Sequence, residues 1–242
     1  MTVLAERARL ALRRVRRTPL HPQWLYPDDL ACEPDFLQTA QGLVLDVGCA
    51  DRWVEEHLPA GCRYIGLDYP ATGLVLYGAR PDILADAARL PLADDSVDTI
   101  LLLDVIEHLR FPKPALLESA RVLRPGARLL VSVPFLYPIH VAPHDYQRAT
   151  IHGLTRDVEE AGLRLEWVRA SAGSAETAAL LMCLALAGAA HEAWITRSAA
   201  LMVVPFFLAL VPLINVFGWL AGKFLPSWPA LTMGYRLVAT KP

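Results

Sequence analysis

Four aspartates recur at the ends of apolar runs. Asp46 lies in Leu45-Asp46-Val47-Gly48, Asp68 follows Tyr64-Ile65-Gly66-Leu67, Asp86 follows Asp82-Ile83-Leu84-Ala85, and Asp104 follows Thr99–Leu103. Their successive spacings are 22, 18 and 18 residues. A carboxylate at the end of a buried strand can accept hydrogen bonds from both hydroxyls of a ribose. Gly48, two residues after Asp46, permits a turn where a ligand can approach the backbone. Four acids on one sheet edge would repel a pyrophosphate, and the three-glycine dinucleotide spacing is absent. A cationic adenosine ligand fits better. A single Asp at such a place is commonly a cap or turn former, so the ordered set carries the reading.

These acids need a parallel sheet to hold them. The runs Leu43–Leu45, Tyr64–Leu67, Thr99–Leu103 and Arg128–Val133 read as buried strands, with a shorter one at Asp82–Ala85. Amphipathic stretches near 52–58, 112–123 and 150–161 predict helices, and Pro125-Gly126 predicts a turn. Leu163–Val168 and Met233–Thr240 read as two further strands. Strands alternating with helices predict a doubly wound α/β fold.

The 242 residues suffice for a full core, and 54% apolar against 20% charged residues argues against disorder. A net charge of −2 argues against a nucleic-acid binder. The four cysteines, Cys32, Cys49, Cys62 and Cys183, show no CxxC pair and no Cys/His cluster with zinc-ligand spacing. No metal site and no disulfide framework is expected, which points to a reducing compartment. No signal-type apolar run follows the N-terminal arginines.

The quoted pieces VLDVGCAD (44–51), YIGLD (64–68), ADAARLPLADDSVD (85–98), DVIEHL (104–109) and RVLRPGARLLVSVP (121–134) form a set. Together they resemble the class I S-adenosylmethionine-dependent methyltransferases, in particular the type 11 group, over residues 41–170 and the last strand. The resemblance implies a Rossmann-like seven-stranded sheet with its last strand antiparallel, and S-adenosylmethionine as cofactor. By position, it implies that Asp46 and Gly48, with the backbone at Cys49 and Ala50, hold the methionine end. Asp68 takes the ribose hydroxyls, Asp86 and Ala87 bracket the adenine, Asp104 and Val105 lie near the sulfonium, and His108 faces the reaction pocket. The family turn reads DxGxGxG, whereas here Ala50 and Arg52 replace the second and third glycines. Arg52 fits only if the turn opens differently.

Residues 134–150 crowd His140, His144, Asp145, Tyr137, Tyr146 and Arg148 into a proline-rich loop after the fifth strand. The segment resembles an HxxPHDYxRxT loop of type 11-like methyltransferases near glycan and lipid pathways. Methylating a hydroxyl requires removing its proton, and a histidine suits that role. His140 and His144 are the candidate bases, with Asp145 as orienter or alternative base. Tyr137, Tyr146, Arg148 and His108 are candidates to hold the acceptor, Arg148 through a phosphate or carboxylate. In the bland alternative, Asp145 pairs with Arg148 or caps the next helix.

Two segments stand outside this plan. Residues 1–20 carry six arginines against Glu6, with Leu4, Ala8, Ala11 and Val15 at helical spacing, so a basic helix is expected there. Residues 171–230 hold two uncharged runs, 178–190 and 198–222, the second interrupted by Pro205, Pro212 and Asn215. The 13-residue first run spans only ~20 Å as a helix, short of a ~30 Å bilayer core unless Glu176, His191 or Glu192 is drawn in. The expectation is an insertion that dips into one leaflet or caps the acceptor pocket, with Trp194, Trp219 and Trp228 at the interface. Its rival is a cap buried against the domain or in a homodimer.

The expected organisation is a basic lead-in (1–40), a methyltransferase domain (41–170 and 231–242) and a hydrophobic helical insertion (171–230). The expected activity is O-methylation of a hydrophobic or lipid-linked acceptor, by a peripheral or monotopic protein on the cytoplasmic side of a membrane. The alternatives are C-methylation of a quinone-like ring and a non-catalytic, membrane-tethered scaffold.

Overall fold

The computed structural model describes residues 15–26, 34–72 and 80–242. The basic helix expected at 1–20 falls outside the described residues as far as Arg14, as does Cys32.

Seven strands form one sheet in the order β3-β2-β1-β4-β5-β7-β6. They are β1 (Leu43–Val47), β2 (Arg63–Asp68), β3 (Ile83–Leu84), β4 (Val97–Leu103), β5 (Leu123–Pro134), β6 (Arg164–Ala170) and β7 (Gly234–Thr240). Parallel pairing joins β3 to β5 through β2, β1 and β4, while β7 runs antiparallel to both β5 and β6. This is the seven-stranded, last-strand-antiparallel sheet that the family resemblance implies.

The apolar strands are buried on both faces, as a parallel sheet demands. Leu45, Val47, Ile100, Leu102, Leu129, Val131, Leu237 and Ala239 meet Ala115 and Leu116 and Leu154 and Val158 on one face. These last pairs lie on α2 (Pro112–Val122) and α3 (Ile151–Glu160). The alternate residues Val44, Leu101, Leu130 and Val238 meet Phe36 and Leu37 of α1 (Pro34–Gln38) on the other.

Two expectations of local structure are corrected. The helix expected at 52–58 is a single 3-10 turn, Glu55–His57. Arg52 adopts φ 62°, a left-handed conformation from which an α-helix cannot propagate. The turn expected at Pro125-Gly126 is absorbed into a long β5, with Gly126 at φ 80° and an irregular register between Val97 and Thr99.

A second compact unit takes in residues 136–138, Ala172–Met233 and the described residues up to Tyr26. It contains α4 (Ser174–Ile195), a 3-10 turn (Ala199–Met202), α5 (Val204–Leu208) and α6 (Val211–Phe224). α4 is longer than the uncharged run 178–190, because Glu176, His191 and Glu192 are drawn into it. Its 22 residues reach about 33 Å, which is the exception that the sequence leaves open. Among the described residues, α4 (Ser174–Ile195) and the α5–α6 stretch Val204–Phe224 are long and apolar enough to cross a membrane.

The seam between α4 and α6 is built from small and polar residues. Cys183 Sγ lies 3.4 Å from Asn215 Oδ1, and Asn215 Nδ2 donates to Pro19 O at 2.8 Å and His21 O at 2.9 Å. The seam then pairs Gly218 with Ala179 and Gly222 with Glu176, so the helices run antiparallel. A Cβ on Gly218 would sit 2.3 Å from that of Ala179. The large side chains instead face outward, with Met202 87%, Phe217 73% and Phe224 80% exposed.

Gly218→Leu is therefore expected to force α4 and α6 apart and lower the unfolding temperature in detergent by several degrees, on the order of 1–3 kcal/mol. Gly188→Leu, where nothing lies within 4 Å of a new Cβ, is the control and should leave the midpoint almost unchanged. Equal midpoints for the two variants would refute the close-packed seam.

Candidate functional site

The ends of β1, β2 and β4 meet because their registers align. Val47 pairs with Leu67 on one side and Leu102 on the other. After β1, the backbone N–H groups of Gly48 and Cys49 both donate to Leu67 O, at 2.8 and 3.1 Å. This folds the β1 turn across the end of β2. Gly48 has φ 78°, and a Cβ there would stand 2.6 Å from Val105 Cγ2. A glycine is required both by the backbone conformation and by the side chain after β4.

Ala50 and Arg52 keep glycine-like backbones, with φ 44° and 62°. The left-handed conformation costs each about 1 kcal/mol. Two sets of contacts hold it. Ala50 N donates to Asp68 Oδ2 at 2.9 Å, while Tyr69 N donates to Asp68 Oδ1 at 2.7 Å. Arg52 turns its guanidinium to Glu55 at 3.0 Å and Asp82 at 2.9 Å, over the ring of Tyr64. Arg52 is thus accommodated by these ion pairs without altering the turn's glycine-like path. Asp82 also accepts from Gly66 N at 2.8 Å, which anchors the short β3 beside β2.

Asp68 is buried, and each of its oxygens accepts one backbone N–H. A carboxylate has about four acceptor sites, so capacity remains for two hydroxyl donors. Asp46 is buried as well and accepts from the Tyr64 hydroxyl at 2.6 Å. Burial pushes its carboxyl up to about 6, against the lowering effect of that bond. Cys49 packs its Sγ 3.0 Å from where a Cβ on Gly66 would stand, and burial first, then Asp46, pushes its thiol up to about 12. Asp104 has φ 53°. Its N–H donates to Ser132 O at 3.0 Å and its Oδ1 accepts from Ser132 Oγ at 3.0 Å. Asp86 is exposed and closes a local turn by accepting from Ala88 N at 2.8 Å, beside the buried Ala87.

The loop after β5 is stitched to the segment after β4. Tyr146 N donates to Glu107 O at 2.9 Å, Gln147 Nε2 donates to Ile106 O at 2.8 Å and Leu109 O at 3.1 Å, and His108 Nδ1 lies 2.7 Å from His144 O. The result brings His108 and His140 edge to face, with ring centroids 4.9 Å apart. Both Nε2 atoms lie 3.7 Å from Glu107 Oε1. The Glu107 side chain is 1% exposed, and neither carboxylate oxygen has a hydrogen-bond partner. Glu107 and Gln147 were not singled out in sequence, although Glu107 stands inside the quoted DVIEHL.

The other acceptor-loop candidates make contacts of their own. Asp145 accepts from both terminal nitrogens of Arg148 and from His140 N at 2.8 Å, and lies 3.3 Å from His140 Nδ1. The Arg148 bonds hold its carboxyl far below the usual range, which is the pairing that the sequence offers as its bland alternative. Arg148 places its guanidinium against Asp145 and Gln147 O. Tyr137 belongs to the second unit, where its hydroxyl accepts from Gln23 Nε2 at 2.9 Å and its ring meets Tyr26. Tyr146 is half exposed and His144 part-buried.

The Asp46 carboxyl rises from 3.8 in the unfolded chain to about 6. A raised acid stabilises the fold below its unfolded value and loses that contribution as pH rises through the folded one. Stability is expected to fall by up to ~3 kcal/mol between about pH 4 and 6 from this group. Denaturant titrations should show Asp46→Asn converging with wild type at pH 4 and exceeding it above pH 6. Parallel curves across that range would contradict the assignment.

Residues 45–131 match the family model described as a methyltransferase domain. The chain is 40% identical over 96 residues to a Mycolicibacterium smegmatis protein named Probable S-adenosylmethionine-dependent methyltransferase, covering 38% of this chain and 37% of that protein. It is 36% identical over 95 residues to the demethylmenaquinone methyltransferase of Renibacterium salmoninarum, covering 37% of this chain and 40% of that one. The similarity thus spans about two fifths of the curated relatives' length. A SAM-dependent methyltransferase from Archaeoglobus fulgidus shares the fold, with TM-score 0.51 and 16% identity over 96% of this chain and 94% of its own. The buried acids and the glycine-shaped turn fit the cofactor of that class, because Asp68 retains acceptor capacity and Gly48 lacks the Cβ that Val105 would meet. Motifs, strand order and similarity together make residues 45–131 a methyltransferase domain similar to those of S-adenosylmethionine-dependent enzymes.

Proposed function

We propose that the chain methylates an oxygen of a hydrophobic, lipid-like acceptor at a membrane surface on its cytoplasmic side. The observation that carries the reading is the β1 turn. Ala50 and Arg52 replace glycines, yet the backbone keeps the glycine path and Asp68 remains poised at its edge. That geometry favours a ligand-binding turn over the non-catalytic scaffold. Within it, Asp68 holds the ribose hydroxyls, Asp46, Gly48, Cys49 and Ala50 hold the methionine end, Asp86 and Ala87 the adenine, and Asp104 and Val105 the sulfonium side. The bound cofactor supplies an electrophilic methyl group. His140 or His144 receives the acceptor's hydroxyl proton, and Asp145 fixes the ring of His140.

The second unit supports the membrane part. Its seam buries Ala179, Cys183, Asn215 and Gly218, whereas Phe206, Leu213, Phe217 and Phe224 face outward. Small residues at helix contacts with large apolar ones outside is the arrangement of helices in lipid. We read α4 through α6 as a hairpin entering the membrane from one side, with Trp219, covered by Lys223 at 3.7 Å, near its end. A second reading, C-methylation of a quinone-like ring, is favoured by the similarity to the Renibacterium salmoninarum enzyme.

The test is transfer of labelled methyl from S-adenosylmethionine into membrane lipid extract, with the product characterised by NMR. A methyl ether is the expected product. His140→Ala combined with His144→Ala should lower the rate by about 100-fold or more. A ring C-methyl product would select the quinone reading, and cofactor binding without label transfer to any extract would restore the scaffold.

A further inference from the structure

We infer that Glu107, His108 and His140 form a binding site for one divalent first-row cation. Three features converge. Glu107 is a carboxylate inside the protein whose two oxygens make no hydrogen bond. Two imidazole Nε2 atoms stand 3.7 Å from the same oxygen, and the ligand atoms of all three side chains lie within 4.8 Å of one another. Each imidazole is also turned by its other nitrogen. His108 Nδ1 faces His144 O at 2.7 Å, and His140 Nδ1 faces the Asp145 carboxylate at 3.3 Å. A ring whose Nδ1–H donates to a carbonyl, as His108 can to His144 O, carries its lone pair on Nε2, and the carboxylate beside His140 Nδ1 favours the same tautomer; this is the outer-sphere arrangement found around metal-bound histidines.

Proton sharing explains the cluster less well. An imidazolium paired with a carboxylate closes to about 2.7–2.9 Å, and a gap of 3.7 Å is no hydrogen bond. Two equal gaps around one oxygen suit a cation between the three groups. Tetrahedral ligands at about 2.0–2.2 Å from a zinc-sized ion lie roughly 3.3–3.6 Å apart. Each imidazole–carboxylate gap of 3.7 Å therefore needs to close by only a few tenths of an ångström, and the imidazole nitrogens, within 4.8 Å of each other, by about an ångström through side-chain rotation. Two imidazoles and one carboxylate favour zinc, iron or cobalt over magnesium or calcium, which prefer oxygen ligands. Three protein ligands leave at least one position for water or an oxygen-bearing acceptor. On the reading of the site as an O-methyltransferase, that position takes the acceptor oxygen and His144 is left as the proton acceptor.

The test uses the full chain in detergent, stripped with chelator, with neither methyl donor nor acceptor present. Titration with Zn2+, followed calorimetrically, should give one equivalent per chain. Replacement by Co2+ should give visible d–d absorption. Glu107→Gln, which keeps the shape, and His140→Ala should each weaken Zn2+ binding by about 100-fold or more and abolish the Co2+ band. Asp145→Asn, one shell out, should weaken it by about 10–100-fold. Circular dichroism checks that each variant is folded, and the Co2+ spectrum of wild type stands even if one is not. The inference is overturned if wild type binds no Zn2+ at millimolar concentration, shows no cobalt band, or binds as tightly in folded Glu107→Gln. Because the readout is cation binding alone, loss of methyl transfer with the cation bound would count against the activity and not against this site.

Discussion

The absence of a side chain at Gly48 is the constraint on which the site depends. The turn after β1 lies against Val105 after β4, at a separation that excludes one methyl group. The same turn is tied to β2 by two N–H groups on Leu67 O and by Asp68 on Ala50 N. Three strand ends are thus brought to one place, and their acids with them. The sheet register sets this proximity, and the apolar strands set the register, because both faces must be buried.

Polar groups in this domain are held by each other in a consistent way. Arg52 is drawn to Asp82 and Glu55, Arg148 to Asp145, and Asp104 to Ser132. Glu107 departs from that pattern as a buried carboxylate whose oxygens accept no hydrogen bond. An ionised group so placed is costly without compensating charge, of which the Arg148 guanidinium supplies part. The second unit reverses the usual rule for soluble proteins, with its bulk outside and its small residues inside.

Much of this was legible in the residue pattern, for reasons specific to particular segments. Leu43–Leu45 and Thr99–Leu103 read as strands because uninterrupted apolar runs leave few alternatives. The acids at their ends followed from the same runs. The segment 52–58 misled because amphipathic spacing does not reveal that Arg52 takes a positive φ. The length of α4 turns on whether charged residues join it, which the uncharged run alone does not decide; a helix accommodates Glu176 and Glu192 near its ends. Asp145 pairs with Arg148 three residues on, as the spacing of an acid and a base in one loop allows. Glu107 and His140 stand far apart in the chain, so ligand-spacing rules that look for neighbouring Cys and His could not join them.

The central claim is that the β1 turn, with Ala50 and Arg52 in place of glycines, binds an adenosine cofactor through Asp68. Isothermal titration of the full chain with S-adenosylhomocysteine tests it most directly. The account predicts one site per chain, weakened by about 10-fold or more in Asp68→Ala, which loses two charge-assisted hydrogen bonds. No heat at millimolar ligand, or equal affinity in the variant, would contradict it.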